Sequence, residues 1–442
     1  LALGAGGIPD SSQEKGPKKC RLSLKFPVYF LPLSLRKEAS IIAYMNQFTH
    51  LLASRTSHMS SSAIREILKL LSTPGMISLA GGIPATESFP LDSMEELVHR
   101  VLEKYGGQAL QYGLTEGFPP LREALVTLLA GQGIKAKAPE VLIATGSQGV
   151  LDGIAKLLIS PGDAIAVEAP TYLGAIQAFN PYEPRYLRIA TDAEGVIPES
   201  LQEVLKHNTV KFVYLVPTFQ NPSGKTLSLK RRAQVAEIIQ KYNTLLVEDD
   251  PYSLLRYQGN PLPPIYTMAP THTLYTSTLS KVFAPGLRIG FFLAPPPLDR
   301  WLVLAKQGVD LHTSTFTQAL GAEYITGGYL ARQLPKIIAL YAPRQRAMLQ
   351  AMETYFPSSF TWIKPDGGMF IWAEGPEGLD MEQVYYRAVE RKVAYVPGKY
   401  FYTEPGEGLA TLRLNFTCVD PSKLEEAIGI LGEVFQEALA SL

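Results

Sequence analysis

Short apolar runs separated by amphipathic stretches occupy the middle of the chain. Val141–Thr145, Ala164–Glu168, Val210–Val216, Thr244–Glu248, Leu274–Ser277 and Arg288–Leu293 are brief and rich in aliphatic side chains, as buried strands are. Helical periods lie between them. After Gly146-Ser147-Gln148, apolar residues recur at Val150, Leu151, Ile154, Leu157 and Leu158, the spacing of a helix with one buried face. Ser228–Tyr242 reads as another helix with a polar face. Buried strands alternating with helices predict an α/β fold with a mostly parallel sheet covered on both sides.

The pattern changes toward both ends. From about Leu330, long helices accompany a strand pair around Gly368–Trp372 and Thr411–Phe416, which predicts a second, α+β unit. Upstream, Ser60–Leu71 carries Ile64, Ile67, Leu68 and Leu71 at helical spacing behind serine N-cap candidates. Leu79–Pro90, rich in glycine and proline, is a loop. The expected organisation is an extension over 1–44, with Met45 as the natural start, and an N-terminal segment over 45–90 that contributes to a small domain and gates substrate. A large domain follows over 91–329 and a small C-terminal domain over 330–442.

Composition narrows the function classes. The 442 residues are 46% hydrophobic with 41 basic and 41 acidic side chains, a balance that gives no reason to expect nucleic acid or an anionic membrane as partner. Only Cys20 and Cys418 occur, outside any CxxC pattern, so a disulfide framework is not expected and a reducing, cytoplasmic compartment is. The six histidines show no HxxxH spacing, and no metal site is expected. No apolar stretch reaches the roughly 20 residues of a membrane span. Phe26–Leu35 loosely resembles a signal-peptide core, but it contains Pro27 and Pro32 and runs into Arg36-Lys37-Glu38 without a small-residue cleavage site.

Ligands of open α/β sheets sit beyond the carboxyl ends of the strands, and here those ends are polar. Gln220-Asn221-Pro222-Ser223-Gly224 follows Val210–Val216, Asp249 and Tyr252 follow Thr244–Glu248, and Thr278, Ser280, Lys281 and Gly286-Leu287-Arg288 follow Leu274–Ser277. Each alone has an ordinary explanation as a turn, a cap or a solvated charge. Their order at successive strand ends is what carries weight.

Taken together, the set resembles the fold-type I pyridoxal 5'-phosphate (PLP) aminotransferases, over nearly everything from Met45 to Leu442. The likeness is to the branch of kynurenine/2-aminoadipate and multi-substrate aminotransferases. It rests on Ala80–Pro84 (AGGIP), Gln111–Gly117 (QYGLTEG), Gln220–Gly224 (QNPSG), Glu248–Tyr252 (EDDPY), Ser280-Lys281 with Pro285–Arg288 (PGLR), and Lys364–Phe370 (KPDGGMF).

The resemblance implies a seven-stranded large-domain sheet and a role for each matched residue. Lys281 is the Schiff-base amine and the proton carrier. Asp249 pairs with the pyridine nitrogen. Asn221 and Tyr252 bond the ring's phenolic oxygen, and Tyr172 stacks on the ring. The phosphate falls to Ser147 and Gln148 at a helix N-terminus, to Thr278 (usually serine in the family), Ser280 and Arg288, and to Tyr112 of a neighbouring subunit, which makes a homodimer part of the site. Arg413, a charge within an apolar strand-like run, matches the arginine that grips the substrate α-carboxylate with a planar fork, beside Gly82 and Asn221.

Substrate choice is where the likeness thins. The branch's 2-aminoadipate enzymes place an arginine before the Ser60–Leu71 helix, where this chain has His58, with Arg55 three residues earlier. The expected pocket is permissive for aromatic, branched or aliphatic amino acids, with 2-oxoglutarate as acceptor. Competing readings are a PLP-dependent β-lyase or decarboxylase, and the ligand-sensing half of a transcription regulator. The latter needs a DNA-binding module, for which residues 1–44 show no paired helices.

Overall fold

The structure is a computed structural model that describes residues 48–59 and 74–442. The helix expected over Ser60–Leu71, the signal-like stretch and Cys20 lie outside the described residues. The chain divides into two compact units, Leu1–Ser54 and Arg55–Leu442. In the first, Thr49–Leu51 form a short 3-10 turn with exposed side chains.

The second unit is built on a seven-stranded sheet. Its strands are β1 (Leu142–Thr145), β2 (Ala164–Glu168), β3 (Arg185–Ile189), β4 (Phe212–Leu215), β5 (Leu245–Asp249), β6 (Thr273–Thr278) and β7 (Ile289–Leu293), in the spatial order β1-β7-β6-β5-β4-β2-β3. β2 to β6 pair in parallel, and β7 alone runs against both its neighbours. β2, β4, β6 and β7 are buried along their whole length, as strands covered on both faces must be. α1 (Ser147–Leu158) leaves β1 directly, and α2 (Leu229–Lys241) starts at Ser228, whose hydroxyl accepts from Arg231 N.

β3 was not legible as a strand. It forms the sheet's edge and keeps Arg185 and Arg188 exposed, so it lacks the apolar continuity of the inner strands while charge protects its open side.

Register places the chemistry. Ile289 of β7 lies opposite Thr145 of β1, and Gly290 opposite Thr278 of β6. The exits of β1 and β6 and the entry of β7 therefore meet at one edge of the sheet, beside the exits of β4 and β5.

A second, antiparallel sheet has the order β8-β9-β11-β10, from β8 (Thr361–Trp362), β9 (Phe370–Glu374), β10 (Val396–Pro397) and β11 (Thr411–Asn415). The expected strand pair is thus β9 with β11. Helices α3 (Tyr329–Tyr355) and α4 (Pro421–Leu439) pack along each other beside it, and Phe360 stacks on Phe435 of α4 with ring centroids 4.7 Å apart. The 79–84 loop is tied to this sheet. Ile77–Ser78 pair in parallel with Val393–Ala394, and Asn415 N donates to Leu79 O at 2.7 Å. Among the described residues no helix is long and apolar enough to cross a membrane.

Candidate active site

The converging strand ends and the 79–84 loop enclose a cavity of about 300 Å³. Gly82, Ser147, Gln148, Tyr172, Asn221, Asp249, Tyr252, Thr278, Ser280, Lys281, Arg288 and Arg413 all line it. Of the site residues expected from sequence, Tyr112 stands elsewhere: it is 79% exposed and meets the His312 ring edge-on at 5.7 Å. Arg55 and His58 are also off the lining, with His58 Nε2 3.5 Å from a Glu183 oxygen.

One end of the cavity is a bare-backbone cradle. Gly146 caps α1 with φ +73°, and a Cβ there would stand 2.1 Å from Arg288 Nη2. A Cβ on Gly290 would stand 2.4 Å from the Gly146 carbonyl carbon. Both positions need glycine for close approach. Arg288, itself left-handed at φ +53°, lays its guanidinium over this turn, with Nη1 3.3 Å from Pro285 O and Nη2 3.4 Å from Thr145 O. Thr278 Oγ1 lies 2.9 Å from Ser280 Oγ and donates to Ile289 O at 2.8 Å. A helix N-terminus, a guanidinium and hydroxyls together suit a phosphate. The Gln148 side chain points across to Gly174, donating to its carbonyl at 2.8 Å.

Asp249 closes β5 at the far side. Its Oδ2 accepts from the Tyr214 hydroxyl at 2.8 Å, while Oδ1 is buried with no hydrogen-bond partner among the described residues. Burial pushes its carboxyl up to about 7, against the Tyr214 hydrogen bond, which lowers it. Lys281 lines the same cavity, and its Nζ donates to Gly82 O at 3.1 Å. Burial, then the charges of Arg413 and Arg288, bring its ammonium down to about 8, which makes a neutral, nucleophilic amine accessible near neutral pH. Tyr252 Oη accepts from Asn221 Nδ2 at 3.3 Å, and burial holds the phenol far above its ordinary value.

Arg413 of β11 supplies the remaining charge. It is fully buried, donating from Nη1 to Asn221 Oδ1 at 2.8 Å and from Nη2 to Ala80 O at 2.7 Å, while Nε has no partner among the described residues. Its guanidinium sits 4.2 Å from the Phe370 ring centroid and 5.0 Å from that of Phe401, a cation–π setting. Burial lowers it to about 10, so it stays cationic at neutral pH.

Sequence reading missed Tyr214 and the wall residues Leu173 and Gln177, while Ile83 and Pro251 entered it only as parts of the AGGIP and EDDPY motifs. Tyr214 had a usable signal: a tyrosine inside a fully buried strand needs a partner for its hydroxyl. The wall residues carry none, since they qualify only by proximity.

These features fit PLP. The orphaned Asp249 oxygen suits a protonated ring nitrogen, the cradle suits a phosphate, and Lys281 lines the cavity they share.

The family described as aminotransferase class I and II matches residues 74–431. The chain is 45% identical over 414 residues to aromatic-amino-acid aminotransferase 1 of Thermococcus litoralis, covering 92% of this chain and 98% of that one. It is 39% identical to the 2-aminoadipate transaminase of Thermus thermophilus, over 86% and 96% of the two chains. Among solved structures it is similar to a Pyrococcus horikoshii kynurenine aminotransferase in complex with PMP, with a TM-score of 0.86, 43% identity, and 90% and 99% of the chains covered. The chain belongs to the class I and II aminotransferases, enzymes whose cofactor is pyridoxal 5'-phosphate.

Proposed function

We propose that the chain transfers the amino group of an L-amino acid, whether aromatic, branched, aliphatic or 2-aminoadipate-like, to 2-oxoglutarate in two alternating half-reactions. The observation that carries this reading is the pairing, in one cavity, of the partly buried Lys281 amine with the buried Arg413 guanidinium. The curated relatives named for aromatic amino acids and for 2-aminoadipate support the substrate range. So does a wall that includes Ile83, Leu173 and Pro251, with Gln177 as a neutral polar group.

Lys281 would hold the cofactor through Nζ, Asp249 at the ring nitrogen, Asn221 and Tyr252 at the phenolic oxygen, and Tyr172 against the ring face. Ser147, Gln148, Thr278, Ser280 and Arg288 would take the phosphate. PLP, when bound, supplies the electron sink that lets an amino acid lose its Cα proton. Arg413, with Asn221 and the Gly82 backbone, fixes the α-carboxylate and so aims the Cα–H at Lys281. The Lys281 amine takes that proton, a role suited to a group titrating at about 8. The indoor wall of the cavity, from Ile83 to Pro251, limits water around the reacting carbon.

A homodimer completes this reading. Leu110, Tyr112 and Leu114 are exposed together, a patch that suits an interface and would carry Tyr112 to the phosphate of the partner subunit. We further assign 91–329 as the large cofactor-binding domain and 330–442 as the small one, joined by 45–90, in keeping with the pairing of Ile77–Ser78 with Val393–Ala394. A reducing, cytoplasmic compartment suits a chain with two cysteines and no CxxC pair.

The test is product analysis with a panel of amino donors and 2-oxoglutarate. Stoichiometric glutamate and parallel initial-rate lines are expected. Ammonia with pyruvate would instead identify a lyase.

A further inference from the structure

Tyr214 does not line the cavity, yet its hydroxyl reaches the acid at the cavity's far end. It lies on β4 opposite Val247 of β5, so its side chain shares a sheet face with Asp249, two residues further on. The phenol is fully buried and its ring is held edge-on by Phe179, with centroids 5.7 Å apart at 83°. Packing therefore fixes where the hydroxyl points. The hydroxyl donates to Asp249 Oδ2 at 2.8 Å.

That bond divides the two carboxylate oxygens. Oδ2 is occupied, and Oδ1 is buried and open. Without a fixed donor, the carboxylate's terminal torsion is soft, and both oxygens would be buried unpaired. The identity of the donor matters as well. An arginine or lysine in place of Tyr214 would neutralise the aspartate and compete with any other cation for it. A neutral phenol holds the geometry and leaves the negative charge available. Among the described residues, the Asp250 carboxylate repels the charge on Asp249 and the Lys281 ammonium attracts it.

We infer that Tyr214 is a positioning residue of this site: it fixes one Asp249 oxygen so that the other meets the protonated ring nitrogen of the cofactor. This rests on the reading that Asp249 faces that nitrogen.

The test uses holoenzyme carrying PLP labelled with 15N at the ring nitrogen, as wild type, Tyr214→Phe, Asp249→Asn and the double variant. In Tyr214→Phe the 15N resonance is expected to move from the pyridinium toward the neutral position. PLP should bind about fivefold more weakly, and kcat should fall about tenfold while KM for the donor holds within about a factor of two. In the Asp249→Asn background, adding Tyr214→Phe should leave PLP affinity unchanged, because the oxygen it served no longer carries the charge. Tyr214→Met serves as a second deletion if Phe at 214 does not accumulate as folded protein. Parental 15N position and kcat in both deletions would overturn the inference, as would an equal affinity loss in the Asp249→Asn background. If Asp249→Asn itself leaves the 15N resonance in place, the placement of Asp249 fails instead, and the two failures are distinguished.

Discussion

Arg413 donates to the side-chain oxygen of Asn221 at 2.8 Å, joining β11 of the small sheet to the loop that follows β4 of the large one. The same asparagine donates to the Tyr252 hydroxyl from its other side-chain atom. One amide thus orients both the guanidinium proposed for the substrate and a phenol proposed for the cofactor.

Arg413→Lys is expected to raise KM for amino donors and lower kcat/KM about 10²-fold. A point ammonium cannot keep the Asn221 and Ala80 bonds while presenting a two-pronged face to a carboxylate. Steady-state kinetics check this, and an unchanged KM would place the α-carboxylate elsewhere.

Lys281→Ala is expected to abolish transamination, with turnover down about 10⁴-fold or more, since one side chain is proposed both to hold the cofactor and to move the proton. Wild-type protein is expected to be coloured by its bound cofactor, and the variant to show an altered absorption band. Parental turnover in the variant would exclude Lys281 from the chemistry.

The cofactor-free protein is expected to be least stable near pH 7 to 8. Asp249 rises from 3.8 to about 7, so the folded chain binds more protons than the unfolded one between those values and loses stability as pH rises through them. Lys281 falls from 10.5 to about 8, so the folded chain binds fewer protons in that window and gains stability as pH rises through it. Thermal melts of stripped protein from pH 5 to 10 should show the dip, and added PLP should raise Tm most within it. A profile without a dip in wild type, or an equal dip in the Lys281→Ala, Asp249→Asn double variant, would contradict this.

Tyr112 offers a test of shared sites. If it serves the partner subunit, unfolding and reassembling an equal mixture of Tyr112→Ala and Lys281→Ala chains should restore activity, because each mixed dimer holds one site with both side chains intact. Activity no higher than the average of the two parents would confine each site to a single chain.

Much of the cavity was legible because its residues sit where strands stop, and strand ends are visible as polar residues after apolar runs. Lys281, Asp249 and Asn221 were found this way. The direction of β7 was not legible, since Ile289–Leu293 is equally apolar read either way; pairing with β1 and β6 decides it. Nor was the need for glycine at 146 and 290, which arises from contacts between segments more than a hundred residues apart. Tyr214 was legible only as a buried tyrosine in need of a partner; which partner was not, because Asp249 lies on a neighbouring strand rather than at a telling spacing.

The reversal between β6 and β7 acts as a ruler. Because the chain goes out along one strand and returns along the next, residues 279–288 set the backbone separation of Lys281 and Arg288. An insertion in that stretch would change the reach between two anchors of a rigid small molecule and leave the sheet itself intact. Engineering of this scaffold toward new donors therefore belongs at Ile83, Leu173 and Gln177, where the wall can change shape without altering that distance.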